Sequence, residues 1–470
     1  MLTSPKHAIS RRTFIGGMSA SLVACAAPRS TWSSTTADVI VIGAGLAGLH
    51  ATKLIENAGY KAILLEANGR PGGRLYTLDD MPVPTDAGGV QIGSSYNRFH
   101  EIADRLGVER YVPTSSGRGS LYRVNDASLT PKTWPGAQQN QLPQSEKSRT
   151  PESLLFSYLG GLPKFEKTSD WMTAEAQLID IPLKDYLIKQ GASAEALRLI
   201  NANLNGYSLE TLSALHLART LAGFRQGSGP TKFVKNGSQR MTDAMANDLR
   251  SDLILNSNVI AIEDEGDGVE ISLADGRKFG ARHVICTAPF SVLRTMQIET
   301  QLPLAMRNMI ADLPYTMASF AYLQASDPFW KHDGYPESIW SDDPLLGRVF
   351  ALGEDPPMLK VWLNGPSAKM VDQMNDQEAG LAIINRIEQA RPSAKGKLKL
   401  LRMFSWQKEQ FAKGTYHHIG VGQGAMLAEV AQYEGARLHF AGEHMAQNSP
   451  GMEGALESGE RTANRIIASL

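Results

Sequence analysis

The chain has 470 residues, 42% of them hydrophobic and 20% charged, with a formal net charge of −1. That is the make-up of a soluble globular protein with room for two or three domains. Residues 1–36 hold four bases (Lys6, Arg11, Arg12, Arg29) and no acid, which leaves the remainder at −5; a mildly acidic body without a basic cluster excludes a phosphate-backbone binder, so no nucleic-acid partner is expected.

The first segment reads as an address. Ser10-Arg11-Arg12-Thr13-Phe14-Ile15 opens a run of small and apolar residues to Ala27. The run is too short to span a bilayer and has the form of a bacterial twin-arginine export signal, so a periplasmic product is expected. Leu22-Val23-Ala24-Cys25 also has the form of a lipoprotein signal. Membrane contact is expected only if Cys25 is lipidated; cleavage after Ala24-Cys25-Ala26 is the alternative. The only other cysteine is Cys286, so no disulfide framework arises, and the absence of CxxC and HExxH motifs predicts no metal.

Asp38 to Ile42 is a β-branched run that predicts a buried strand. Gly43-x-Gly45-x-x-Gly48 follows at once, then apolar positions at helical spacing (Leu46, Leu49, Ala51, Leu54, Ile55), then a strand, Ala62 to Leu65, ending at Glu66. Gly43 suits the tight turn, Gly45 the approach to a pyrophosphate, and Gly48 close helix–strand packing, with Ala47 in the same turn. A helix N-terminus offers free N–H groups to phosphate. Glu66 stands where a carboxylate accepts hydrogen bonds from ribose hydroxyls. The expected fold class is α/β, with a Rossmann-like dinucleotide-binding domain.

The following residues separate FAD from NAD. "EANGRPGGRLYT" carries Gly72-Gly73-Arg74, "DAGGVQIGSSYNRFHEIADRLGV" carries Gly88-Gly89-Val90, and "RLHFAGEHMAQNSPGMEGALESGERTANRI" closes the chain. In this order they resemble the flavin amine oxidase family, which includes monoamine, polyamine and L-amino-acid oxidases. The resemblance implies FAD. Gly73 and Arg74 would wrap its pyrophosphate, Gly88, Gly89 and Val90 would run close to its ring, and the Val259 backbone would meet its adenine. Glu443 and Met452 would close the site, with the Met452 amide facing the flavin O2. The FAD domain would be assembled from 37–111, 230–295 and 403–470, and an α+β substrate domain from 112–229 and 296–402. Residues 130–153 read as a loop, "AEALRLINANL" and "DQEAGLAIINRIEQA" as helices, and "LKVWL" as a short strand.

The implied activity is oxidation of an amine C–N bond by hydride transfer to flavin N5. The imine then hydrolyses, and electrons pass to O2, giving H2O2, or to a periplasmic acceptor. Trp406 and Tyr416 stand at the family's catalytic aromatic positions. Thr415 occupies the site where some relatives carry a cysteine bonded to the flavin, so FAD should be non-covalent. His417 and His418 read as structural. The family's lysine, which holds a water at N5, falls on Phe320, a departure that places fast reaction with oxygen in doubt. A second cage aromatic is replaced by Gly451, which should open room for a bulky or secondary amine; Tyr96 is a candidate pocket wall. An L-amino-acid oxidase would need a cation for the carboxylate, with Arg98 and Arg225 as candidates. A C–C desaturase or porphyrinogen oxidase and a non-catalytic flavin scaffold are further alternatives. A monomer or homodimer is expected.

Overall fold

A computed structural model describes residues 36–113 and 119–470; the export and lipidation signals lie outside the described residues. The strand Ala37–Ile42 forms as its β-branched run predicts and pairs in parallel with both Ala62–Leu65 and Lys278–Cys286. A parallel strand covered on both faces must be apolar throughout, and Val39, Ile40 and Val41 are fully buried. Around this centre the sheet runs Gln297–Glu299, Val259–Asp264, Val269–Leu273, Lys278–Cys286, Ala37–Ile42, Ala62–Leu65, Asp252–Ile254, with Leu438–Phe440 beside Lys278–Cys286. The stretch from 259 to 286 is an antiparallel meander.

A second sheet has seven strands in the order Leu398–Ser405, Ala318–Ala325, Pro357–Asn364, Arg348–Glu354, Ser338–Ser341, Ser120–Val124, Ala127–Leu129. Its register builds one wall of the site. Phe320 lies opposite Trp362 on one side and Phe404 on the other; Tyr322 lies opposite Lys360 and Arg402. Side chains alternate along a strand, so these residues share a face. Sheet membership shifts near the expected domain limits. Gln297–Glu299 pairs with Val259–Asp264 in the first sheet, and Leu398–Ser405 runs wholly in the second.

The two predicted helices form as Ala194–Ala202 and Asp376–Ala390, each N-capped by a side chain, Ser193 and Asn375. The polar loop of residues 130–153 contains only a short helical turn but is anchored. Trp134 is fully buried and its Nε1 donates to the Arg149 carbonyl. Buried Glu146 accepts from the Tyr158 hydroxyl and from Ser193. The terminal helix Gly451–Ser469 packs on the fingerprint helix Leu46–Asn57 so closely that a Cβ at Gly459 would lie 2.5 Å from the Ala47 carbonyl oxygen. Among the described residues no helix is long and apolar enough to cross a membrane.

Candidate active site

One cavity of about 1370 Å³ runs from the fingerprint glycines to the aromatic face of the second sheet. Ordinary small-ligand pockets hold about 300–1,000 Å³, so this one has room for a dinucleotide and a substrate together. Its residues fit FAD. Gly43 has φ +100°, and a Cβ at Gly48 would fall 1.9 Å from the Gly43 carbonyl oxygen; any side chain there would drive the helix off the strand. A Cβ at Gly45 meets nothing within 4 Å, because that side faces the cavity. Gly45 is the N-cap of Leu46–Asn57 and has no side chain to cover the first amides. Those donors and the dipole suit an anion.

Glu66 is buried, with Oε2 accepting from the Ala44 amide at 2.7 Å and Oε1 from the Asn68 amide at 2.8 Å. These bonds hold the carboxylate at the cavity wall beside Ala67, Asn68, Ser257 and Val259. Ala47, Gly73, Arg74, Val90 and Met452 line the same space. Arg74 Nη1 donates to the Thr415 carbonyl at 2.7 Å and to Glu443 Oε1 at 3.0 Å. Glu443 also accepts from the His417 amide and is paired with His417 Nδ1. Burial opposes ionisation of Glu443, but the charges of His417 and Arg74 outweigh it and hold the carboxyl well below its usual range. His417 is therefore paired with an acid that sequence distance concealed. His418 stays structural, its Nδ1 3.2 Å from the Thr316 hydroxyl.

Gly88 and Gly89 answer to packing as well as to a ring. A Cβ at Gly88 would lie 2.7 Å from Trp406 Cζ2, and one at Gly89, where φ is +73°, 2.8 Å from Leu75 Cγ. Trp406 is buried and donates from Nε1 to the Ala87 carbonyl. Tyr416 lines the cavity, and burial pushes its phenol up to about 12. Phe320 is 1% exposed and stacks at 7° on Phe404, with Trp362 edge-on at 5.2 Å. Gly451 has φ +75°, so an L side chain there is strained whatever the space. The room beside it is partly taken, because a Cβ at Gly451 would lie 3.2 Å from the Tyr96 hydroxyl. Burial, with Glu453 adding to it, pushes that phenol up to about 12.

The structure adds two cations that the sequence concealed. Lys360 is 5% exposed, on the strand next to Phe320. Its Nζ lies 4.0 Å from the Phe320 ring centroid and donates to the Asp86 carbonyl at 2.8 Å. Burial lowers it to about 7, against the opposing charge of Asp86. A lysine is thus supplied beside position 320 from another strand. Arg348 Nη2 donates to Asn205 Oδ1 at 2.9 Å, and its guanidinium lies 5.2 Å from the Trp362 ring. A charged residue in a strand of otherwise apolar pattern was the available signal for Lys360. Arg98 and Arg225 are not in the cavity lining. Arg98 pairs with Glu453 and Glu460, and Arg225 ends an exposed helix turn.

A family model described as flavin containing amine oxidoreductase matches residues 46–467. Amine oxidase [flavin-containing] B of Sus scrofa is 25% identical over 469 residues, covering 93% of this chain and 87% of that protein. (S)-6-Hydroxynicotine oxidase of Paenarthrobacter nicotinovorans is 24% identical over 446 residues, covering 92% and 100%. L-Amino-acid oxidase of Siganus canaliculatus is 24% identical over 461 residues, covering 92% and 86%. Among solved structures, cyclohexylamine oxidase from Brevibacterium oxydans superposes with a TM-score of 0.76 at 22% identity, over 92% of this chain and 99% of that one.

Proposed function

This chain belongs to the family of flavin-containing amine oxidoreductases, and we propose that it oxidises the C–N bond of a small amine by hydride transfer, yielding an imine that water hydrolyses. It is an FAD-dependent oxidoreductase, and its relatives include amine and amino-acid oxidases. When bound, FAD supplies the two-electron acceptor, at N5 of its ring, for the hydride leaving the carbon that bears nitrogen. The continuous cavity joining the fingerprint glycines to the aromatic wall carries the reading.

The fingerprint turn and the N-terminus of Leu46–Asn57 would hold the pyrophosphate, with Gly73 and Arg74 beside it. Glu66 would accept hydrogen bonds from the ribose hydroxyls, and the Val259 backbone would meet the adenine. The Met452 amide opens the terminal helix, whose dipole favours negative charge gathering at the pyrimidine edge on reduction. Thr415 has no thiol, which supports a non-covalent cofactor. Tyr416 and Trp406 would hold the substrate nitrogen toward N5. A buried, apolar wall favours the neutral amine, the form that can give up hydride. Lys360, in place of a lysine at 320, is the donor available to hold a water at the reacting edge. Electrons would then pass to O2, giving H2O2, or to a periplasmic carrier, in keeping with a twin-arginine export signal at Arg11-Arg12.

The test is anaerobic mixing of the yellow holoprotein with a panel of amines and amino acids, following loss of the flavin absorbance. Bleaching by at least one compound with a C–H beside its nitrogen is expected. If no amine and no amino acid bleaches the flavin, the reading is wrong.

A further inference from the structure

The substrate end of the cavity has an uneven charge. Four carboxyl-bearing residues line the cavity: Glu66, Asp86, Glu109 and Glu443. Each is engaged elsewhere. Glu66 is held by Ala44 and Asn68, Asp86 by Thr77 and Ser238, Glu109 by Lys235, and Glu443 by Arg74 and His417. The aromatic box of Phe320, Phe350, Trp362 and Tyr416 instead contains two cations. Lys360 Nζ and the Arg348 guanidinium each lie 5.2 Å from the Trp362 ring centroid.

Arg348 keeps the larger set of unspent donors. Among the described residues its side chain makes one hydrogen bond, to Asn205, and forms no salt bridge. Its Nε is buried with no partner. A guanidinium has five N–H donors in a fork that matches a carboxylate, and leaving buried donors unpaired is costly. A plain alkylammonium would meet the Arg348 charge, joined by Lys360 where it is protonated, while each lining carboxylate is already engaged. A zwitterion would bring the missing anion, and the same cations would favour its nitrogen in the neutral, reactive form.

We infer that Arg348 is the carboxylate anchor of the substrate cavity, and that the substrate is an amine that also carries a carboxylate, an amino acid rather than a simple amine. This rests on the C–N oxidation reading above and names the substrate class of that site. It also supplies the cation that neither Arg98 nor Arg225 provides.

The test pairs compounds that differ only in the carboxylate: L-phenylalanine with 2-phenylethylamine, L-leucine with 3-methylbutylamine, 5-aminopentanoate with butylamine. Flavin reduction in the holoenzyme should favour the acid member of at least one pair. In Arg348→Met that preference, as a ratio of kcat/KM values, should fall at least about 30-fold, the size expected for losing a charge-assisted hydrogen bond. Arg348→Lys should recover part of it. A readout without turnover is the dissociation constant of benzoate, followed by perturbation of the flavin spectrum, which should weaken by a similar factor in Arg348→Met while the FAD content is unchanged. A merely structural arginine would lower FAD content or thermal stability and leave the acid-to-amine ratio and the benzoate constant where they were; that result overturns the inference. Faster bleaching by the amine member of every pair overturns it too, but leaves the C–N oxidation reading standing, whereas bleaching by no member of any pair removes both.

Discussion

Lys360→Met isolates the energetic consequence of burying a lysine that donates to a carbonyl rather than to a carboxylate. In the folded protein the lysine is lowered from 10.5 to about 7, chiefly by burial. Between those values the unfolded chain binds a proton that the folded chain does not, so stability rises with pH across pH 7 to 10.5 and levels off below 7. At about 1.4 kcal/mol for each tenfold change in proton affinity, the full span is about 5 kcal/mol. About 3–4 kcal/mol of it falls between pH 7 and 10. Methionine keeps the length and drops the charge, at the loss of the cation–π contact with Phe320, worth about 2 kcal/mol when desolvated. The variant should therefore gain on its parent as pH falls, and the gap between them should widen by about 3 kcal/mol from pH 10 to pH 7. Urea unfolding of both holoproteins in excess FAD, at pH 7, 8, 9 and 10, measures this directly. Other groups that titrate in this window are common to both chains and cancel in the difference. Parallel stability profiles would refute the reasoning, because they would mean that the aromatic box and the Asp86 carbonyl hold an ordinary ammonium.

Gly48→Ala places a methyl 1.9 Å from the Gly43 carbonyl oxygen; the fingerprint helix must move, and FAD retention after gel filtration should drop at least tenfold while the overall fold survives by circular dichroism. Glu443→Gln removes the partner of both Arg74 and His417 and should cost about 3–5 kcal/mol at neutral pH, as breaking a buried ion pair does. Because the folded pKa of Glu443 lies below its usual value of 4.5, its contribution is fully present above that value and is lost as pH falls through the acid range. The difference between parent and variant in thermal unfolding should therefore shrink from pH 6 to pH 3.

The cofactor half of the site was legible in the sequence because its determinants are local. The strand, the three glycines, the helix and Glu66 fall within 30 residues, and backbone geometry alone decides which residue faces the cavity. Gly451 and Met452 were legible for the same reason, as the first positions of a helix whose apolar spacing is plain. Even here tertiary contact added a reason. Gly88 is small because Trp406 presses on it from the turn that follows the distant strand Leu398–Ser405, and Gly451 is faced across the cavity by the hydroxyl of Tyr96.

The substrate half lies on three neighbouring strands, and only their register decides its chemistry. Alternation along "LKVWL" says that Lys360 and Trp362 share a face, but not that this face meets Phe320. The pairing of Phe320 with Trp362 and of Tyr322 with Lys360 brings the lysine to the Phe320 ring, and the pairing of Arg348 with Trp362 adds the second cation. Likewise Glu443 and His417 are 26 residues apart and meet only when Leu438–Phe440 joins the first sheet. A sequence can declare a binding loop because one short segment folds into it. It cannot declare a pocket charge that arises from side chains on separate strands, since strand order and register are set by the packing of the whole core.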